Sequence, residues 1–529
     1  MKIKFFLIFI LSFSLAVFFA YSSKANKAII SISNVKGGIE VIVKLDKPVD
    51  MLKFSISESL QDKSWIFKDS HFKIENGVLS SASENSFSEV KFYIYESIAD
   101  GEYDRMYTPI IISKSGVKQI HAGQFLFDNV ISKLYFRLDA TEFVYFNNKV
   151  HNILIDEFLD TDNSGYLLKG KFSTYNSADF SVHYAPETPS WIIYSIINKT
   201  QGIIDKNTNL FSDFDVPINI MVSFDEGLFN YRGDVHNHGM RLNFTGSGWQ
   251  DQNIRNSDTA MIFIAHELTH FWIGNSQSIS VVDGIDENWL LEGITEFLSL
   301  NILFDNGILS KESYINYFNS LFTSCQSQAF FSKKSILDLA RSGYYYDCGA
   351  FISFLYEIVH NKKLASAVYQ SYMNTGSISL EGLNFEKKFL LWLSKPIVSI
   401  FDICKIFQDD RCDSVKINPK EFQFSLAREI VRLALKYDCK KSTLSSSNGK
   451  INLSELDCKN LPSTMELESI NDIPYSGDMA SLLKSINRFC ANTPSVSFKL
   501  KLNQYSLMFP CSRIESRSDV IDFSNLLTR

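Results

Sequence analysis

The feature that most limits how this chain can fold is the stretch 262–272, Ile-Phe-Ile-Ala-His-Glu-Leu-Thr-His-Phe-Trp, which sets His266, Glu267 and His270 among apolar residues. The flanking Met, Ile, Phe, Ala, Leu and Trp describe a buried helix. Helical residues four apart stand one above the other on the same face, so the two imidazoles can share one metal ion. Zinc takes such nitrogens at about 2.0–2.1 Å in tetrahedral surroundings. Glu267 follows the first histidine, so its carboxylate flanks the metal instead of repeating a ligand. That is the place of a general base acting on water. An H-[DE]-x-x-H match arises by chance about once in fifty chains of this composition. Chance does not supply the apolar setting, where two imidazoles and a carboxylate are costly unless something satisfies them. The expected cofactor is one zinc ion per chain, with a third protein ligand and an open position.

The chain begins Met1-Lys2-Ile3-Lys4 and continues with an almost wholly apolar run, 5–20, followed by Ser22, Ser23 and Ala25. A charged start, an apolar run and small residues after it read as a secretory signal peptide, cleaved between about 20 and 25. The run is shorter than the ~20 residues of a comfortable span, so a retained N-terminal anchor is the lesser reading. No later stretch is long and apolar enough to cross a membrane. The expected location is therefore periplasmic or extracellular. The eight cysteines, 325, 348, 404, 412, 439, 458, 490 and 511, suit disulfides in an exported chain. Neighbour pairing, 404 with 412, 439 with 458 and 490 with 511, and 325 with 348 as a further candidate, is the simplest scheme, though sequence alone does not fix it. A net charge of −7 with no basic block argues against nucleic acid as a partner. Oligomeric state is left open.

At 529 residues the chain is too long for one core and suits about three domains. Six runs in the first part, 28–33, 39–45, 52–56, 90–95, 134–138 and 143–146, alternate like strands. Residues 26–175 are therefore expected to form a β-sandwich. His71, His121 and His151 are isolated there and read as surface or core residues. From 176 the pattern becomes mixed. Strands are expected at 180–184 and 218–224, a helix at 189–204, and the histidine helix at 259–273, between an N-cap at Asp258 and Gly274.

The next helix starts at Asp286 and ends near Gly307. It carries Glu292 among apolar residues, where a carboxylate is normally paired or metal-bound. Two antiparallel helices would bring Glu292 to His266 and His270 and complete a three-ligand set. Glu296, one turn on, can orient a histidine from behind; the plainer alternative is a partly exposed helix charge.

The run His266-Glu-Leu-Thr-His270-Phe-Trp-Ile-Gly-Asn275, followed by Trp289-Leu-Leu-Glu292-Gly293, resembles the gluzincin metallopeptidases of the aminopeptidase N type. The glycyl aminopeptidases are the nearest related group. The resemblance implies a thermolysin-like, mostly helical catalytic domain and Glu292 as the last zinc ligand. It also implies an oxyanion-stabilising tyrosine, which the sequence Tyr346-Asp-Cys-Gly-Ala350 places at Tyr346, with Tyr344 and Tyr345 adjacent. Twenty-one residues separate His270 from Glu292, against eighteen usual in the family. The extra three fit in the 278–287 loop, and Glu287 is the fallback ligand. The family also has a G-x-M-E-N strand whose glutamate grips the substrate's α-amine. The candidate here is Gly239-Met240-Arg241-Leu242-Asn243, with arginine at the glutamate position. Gly239, Met240 and Arg241 are thus expected to bind substrate backbone without holding an ammonium. A solvated loop is the plainer role for His236 and His238, although both lie near enough to line the cleft.

The expectation is a multidomain α+β protein: signal peptide 1–25, β-sandwich 26–175, zinc peptidase domain 176–400, and a small cysteine-rich α+β region 401–529 held by disulfides. Helices are expected at 421–437 and 479–492 in that last region, and a strand at 496–502. The expected function is an exported zinc metallopeptidase acting on peptides or proteins. Aminopeptidase action is the first choice; an endopeptidase, or an inactive peptide-binding protein on the same scaffold, is the alternative.

Overall fold

The computed structural model describes residues 26–394 apart from 56–64, 68–70, 84, 96–108, 137–142, 147–148, 152–156, 159–165, 212–216, 227–229, 237, 275–279, 282–287, 333, 361 and 386; beyond 394 it describes strand segments between 443 and 510. The expected signal peptide, Asp286, Glu287, the helices expected at 421–437 and 479–492, and the six cysteines from 404 onward lie outside the described residues.

The N-terminal region is β-rich, as its alternation requires. Its first sheet grows from a hairpin, Asn26–Val35 against Gly38–Val49, in which Ile30 faces Val43 and Ile32 faces Val41. Gly37 turns the hairpin at φ +74°, a conformation open to glycine. Strand Val130–Phe136 adds parallel to the first strand and Phe87–Tyr95 antiparallel to the second. A second sheet contains Ile110–Ile112, Lys118–His121 and Tyr166–Gly170. Ile110, Ile120 and Leu167 from it share one core with Ile30, Val41 and Phe92 from the first. Two sheets thus close on a common apolar layer, with Trp65 stacked on Phe92 at 4.5 Å inside it.

The second sheet also has an outward-looking task. Tyr166 and Leu168 pack with Val117 against Ala185 and Met221. Those last two belong to the next region, so this contact joins the two parts of the molecule.

The second region is a five-stranded sheet covered by helices. The strand order is Ser173–Asn176, Phe180–Tyr184, Ile218–Asp225, Gly239–Thr245, Asn230–His236. The three inner strands are parallel, and helix Ser190–Leu210 makes the crossover a parallel connection needs. The last strand returns antiparallel and forms the sheet's edge. This order decides what substrate could reach. Gly239, Met240 and Arg241 lie on a strand paired on both sides, and Met240 is fully buried in the main core. An extra strand cannot add there; among the described residues the edge on that side of the sheet is Asn230–His236.

The histidine helix differs from the expected 259–273. It runs Ile254–Thr269, and Asn253 is its N-cap, the side chain accepting from the Asn256 N–H at 2.8 Å. Asn caps as well as Asp, so Asp258 falls inside the first turns. His270 ends the helix, and Trp272 and Ile273 bond back to Thr269. Gly274 then leaves at φ +93°. The first helix is likewise longer than expected, Ser190–Leu210, with Pro189 at its start.

The glutamate helix, Asn288–Asp305, crosses the tyrosine helix, Tyr345–His360, closely. A Cβ on Gly293 would lie 2.4 Å from the Gly349 backbone, and one on Gly349 would lie 2.8 Å from Gly293 Cα. Only two glycines permit that approach. The expected Cys325–Cys348 disulfide is present and ties the tyrosine helix to helix Lys311–Ser332. Farther on, the strand expected at 496–502 is found at Ser495–Leu500 in a six-stranded sheet. No described helix is long and apolar enough to cross a membrane.

Candidate metal centre

His266 and His270 stand one turn apart at the end of the histidine helix, and Glu292 faces them from the glutamate helix. The ligand atoms of the three lie within 4.8 Å of one another. His266 Nε2 is 3.0 Å from His270 Nε2 and 3.2 Å from Glu292 Oε2, and His270 Nε2 is 3.5 Å from that oxygen. The three extra residues in the connecting loop leave this meeting intact. Part of that loop, Ser280–Val281, pairs with Ser377–Ile378.

The other ring nitrogens fix how the two imidazoles are turned. His270 Nδ1 is 3.1 Å from the Ile273 carbonyl oxygen. A carbonyl only accepts, so that nitrogen carries the proton. His266 Nδ1 is 2.7 Å from Glu296 Oε2 and donates to it in the same way. Glu296 is itself fixed by the Tyr317 hydroxyl, which donates to Oε1 at 3.0 Å. With Nδ1 carrying the proton, a neutral imidazole at either position turns its Nε2 lone pair toward the other and toward the Glu292 carboxylate oxygen. In that state three acceptors converge, and a cation satisfies all three. Two nitrogens and one oxygen form a donor set that zinc takes, with room for a fourth partner. Without the ion a proton takes its place. Burial works to lower the His266 pKa, but the hydrogen bonds to Glu292 and Glu296 outweigh it and raise it to about 10. Burial alone would raise Glu292; the two histidines hold its carboxyl well below the usual carboxylate range.

Glu267 lies beside the ligands and is nearly fully buried. Burial pushes its carboxyl up to about 7, against the lowering pull of His266 and His270. The edge strand passes directly over it. A Cβ on Gly233 would come within 2.7 Å of Glu267 Cγ and Cδ, so glycine is what lets the strand approach the base. Tyr231 fixes that approach through its ring contact with Phe263 of the histidine helix at 4.8 Å. At the strand's start, Trp249 Nε1 donates to the Asn230 carbonyl at 2.9 Å.

Tyr346 lies at the head of the tyrosine helix, its ring 5.3 Å from that of His266. Arg241 turns away from solvent into the joint between the two regions. It is buried, forms a two-point pair with Asp234 (Nε to Oδ1 2.8 Å, with a second bond from Nη2 to Oδ2), and lies over the Tyr166 ring at 4.5 Å. His236 belongs to the edge strand and not to a solvated loop. Its ring packs at 5.0 Å against His121 of the N-terminal region. Asp234 and Tyr317 are members of this neighbourhood that sequence reading did not single out; His121, expected as an isolated surface or core residue, is buried. Asp234 stands opposite Arg241 across a hairpin, a pairing that only the register reveals.

No family model matches the sequence, and no curated protein does. The fold does have known likenesses. Leukotriene A4 hydrolase from yeast overlaps 78% of this chain and 71% of its own, with TM-score 0.42 and 16% identity. An aminopeptidase N family protein from Idiomarina loihiensis overlaps 91% of this chain and 96% of its own, with TM-score 0.52 and 12% identity. With that last protein this chain shares its fold, from the N-terminal β-rich region through the helical region that carries the histidine–glutamate cluster.

Proposed function

We propose that this chain is an exported zinc metallopeptidase. The observation that carries the reading is the convergence of His266 Nε2, His270 Nε2 and Glu292 Oε2 beside a buried Glu267. Zinc held by those atoms supplies a Lewis acid that makes water more acidic and polarises a carbonyl. Glu267, with its raised pKa, takes a proton from the attacking water and passes it to the leaving amine. Tyr346 offers its phenol hydrogen to the carbonyl oxygen as negative charge develops there. Glu296 keeps His266 in one tautomer, and His270 is kept by the Ile273 carbonyl. The edge Asn230–His236 offers backbone groups to an extended peptide as an added strand. The fold likeness to an aminopeptidase N family protein supports the peptidase reading. The apolar run 5–20 and the buried Cys325–Cys348 disulfide support export to an oxidising compartment.

The test compares zinc-loaded wild type with Glu267→Gln on a mixture of unstructured peptides, followed by mass spectrometry. The expected result is one zinc per chain in both proteins and at least a ~100-fold loss of hydrolysis in the variant, the scale of general-base removal. Equal hydrolysis by the two proteins, or no stoichiometric zinc in wild type, would overturn the reading. Zinc with no hydrolysis by wild type would favour a peptide-binding protein on the same scaffold.

A further inference from the structure

Helix Lys311–Ser332 and the tyrosine helix pack antiparallel along one seam. Phe318 meets Phe354 and Phe322 meets Phe351, each pair with ring centroids 4.7 Å apart, and Cys325 is bonded to Cys348. Positions 318, 322 and 325 on one helix, and 354, 351 and 348 on the other, are three or four residues apart, the spacings that keep side chains on one face. The disulfide is therefore the last rung of the seam, at the head of the tyrosine helix. A second tie lies one residue away on each helix, where the Ser324 hydroxyl donates to Asp347 Oδ2.

The two ends of the tyrosine helix are held differently. From Phe351 to Ile358 every side chain is buried, so packing alone keeps the body of the helix in place. Tyr344, Tyr345, Tyr346 and Asp347 are all partly exposed. A first turn is also where a helix frays, because its N–H groups have no carbonyl partners within the helix. Both ties fall on this weaker end, with Asp347 next to Tyr346 and Cys348 two residues after it. The following residue, Gly349, rests on Gly293 of the glutamate helix. Tyr346 thus stands on a turn anchored covalently on one side and packed against the helix of Glu292 on the other.

Helix Lys311–Ser332 serves the metal side as well. Its Tyr317 fixes Glu296, which holds His266. Tyr317 and Ser324 are two turns apart, roughly 10 Å along the helix axis. One helix therefore sets both a histidine ligand and the turn that carries Tyr346.

We propose that the Cys325–Cys348 disulfide, assisted by the Ser324–Asp347 bond, positions Tyr346. It holds the first turn against fraying, and its effect on hydrolysis passes through the Tyr346 phenol. The inference rests on the peptidase reading for what that phenol does. It goes beyond that reading in making Cys325 and Cys348 positioning residues of the site.

The experiment compares zinc-loaded wild type with Cys325→Ala/Cys348→Ala, each with and without Tyr346→Phe. With Tyr346 in place, the cysteine variant is expected to keep its zinc affinity and KM and to lose about ten-fold in kcat, part of the ~100-fold that outright loss of an oxyanion donor costs. In the Tyr346→Phe background the same substitution is expected to leave kcat unchanged, because the group it positions is gone. A merely structural bond would lower kcat alike in both backgrounds. Hydrogen exchange reads the turn without turnover. The amides of residues 348–350 are expected to exchange faster in the cysteine variant, with those of 352–358 unchanged. If the cysteine variant does not fold, Ser324→Ala, which keeps the disulfide, carries the test; it is expected to lower kcat only where Tyr346 is present. Unchanged kcat, an equal loss in both backgrounds, or loss of zinc overturns the inference. Faster exchange at 348–350, with no peptide cut by wild type, would defeat the peptidase reading and leave the anchoring of the turn standing. Cutting by wild type, with kcat and exchange unaltered in the variant, would do the reverse.

Discussion

His266 has both ring nitrogens committed, Nδ1 to Glu296 and Nε2 to the ligand cluster. As a zinc ligand it would depend on a residue that does not itself touch the metal position. Replacing Glu296 by Gln keeps the shape but removes the charge that makes the imidazole more basic and fixes its orientation. Glu296→Gln is expected to weaken zinc binding ~10–100-fold, the usual effect of losing such a partner. Competition with a chromogenic chelator measures this, and an unchanged affinity would show that Glu296 is only a buried structural acid. These residues were legible one helix at a time, because a charge inside an apolar helix has to be explained. His121 was not legible. Nothing within strand Lys118–His121 signals that its ring meets His236 of another region. The Asp234–Arg241 pair becomes visible only once the hairpin register is known, because that register sets which side chains stand opposite each other.

At the scale of elements, the site depends on how closely the glutamate and tyrosine helices approach. Gly293 follows Glu292 directly, and Gly349 lies three residues after Tyr346. Their backbones touch where the helices cross. A methyl group at Gly349 has no flexible side chain to displace; it meets Gly293 Cα at 2.8 Å and the Trp289 carbonyl oxygen at 3.0 Å. Gly349→Ala is expected to cost about 1–3 kcal/mol of stability, the range for overpacking a tight core. It should also move Glu292 and Tyr346 apart and so lower hydrolysis beyond any loss of folded protein. Urea denaturation and the activity of the folded fraction report the two effects separately. Full stability with full activity would show that the crossing is looser than these distances. The run of glycines after functional residues was visible in the sequence, but its cause was not, since it lies in a helix pair and not in either helix. The misplaced start of the histidine helix has a similar origin. Asn253 and Asp258 are both good caps, and only the chain's path from the edge hairpin selects the earlier one.

For the molecule as a whole, the joint between the two regions and the sheet beside it enclose neutral histidines. His183 is fully buried, with Nδ1 3.0 Å from Thr174 Oγ1 and Nε2 2.9 Å from Ser181 Oγ. Burial lowers its pKa to about 3. His121 is held well below the usual value by burial first, then by the charges of Arg241 and His236. The unfolded chain takes up protons on such residues from about pH 6.5 downward, while the folded chain does not. Their contribution is therefore complete above about pH 6.5 and is lost as pH falls from there toward the folded pKa. For His183 that window reaches down to about 3. The limiting slope is about 1.4 kcal/mol per pH unit for each histidine. Zinc release in acid would add its own loss, so the comparison belongs in chelator, between wild type and His183→Gln. Between pH 6.5 and 5, wild type is expected to lose roughly 1–2 kcal/mol more than the variant, the integral of that slope over the interval. If the two proteins lose stability in parallel, His183 is reached by water or protonated in the folded state, and the sheet beneath the catalytic region is more open than its burial indicates.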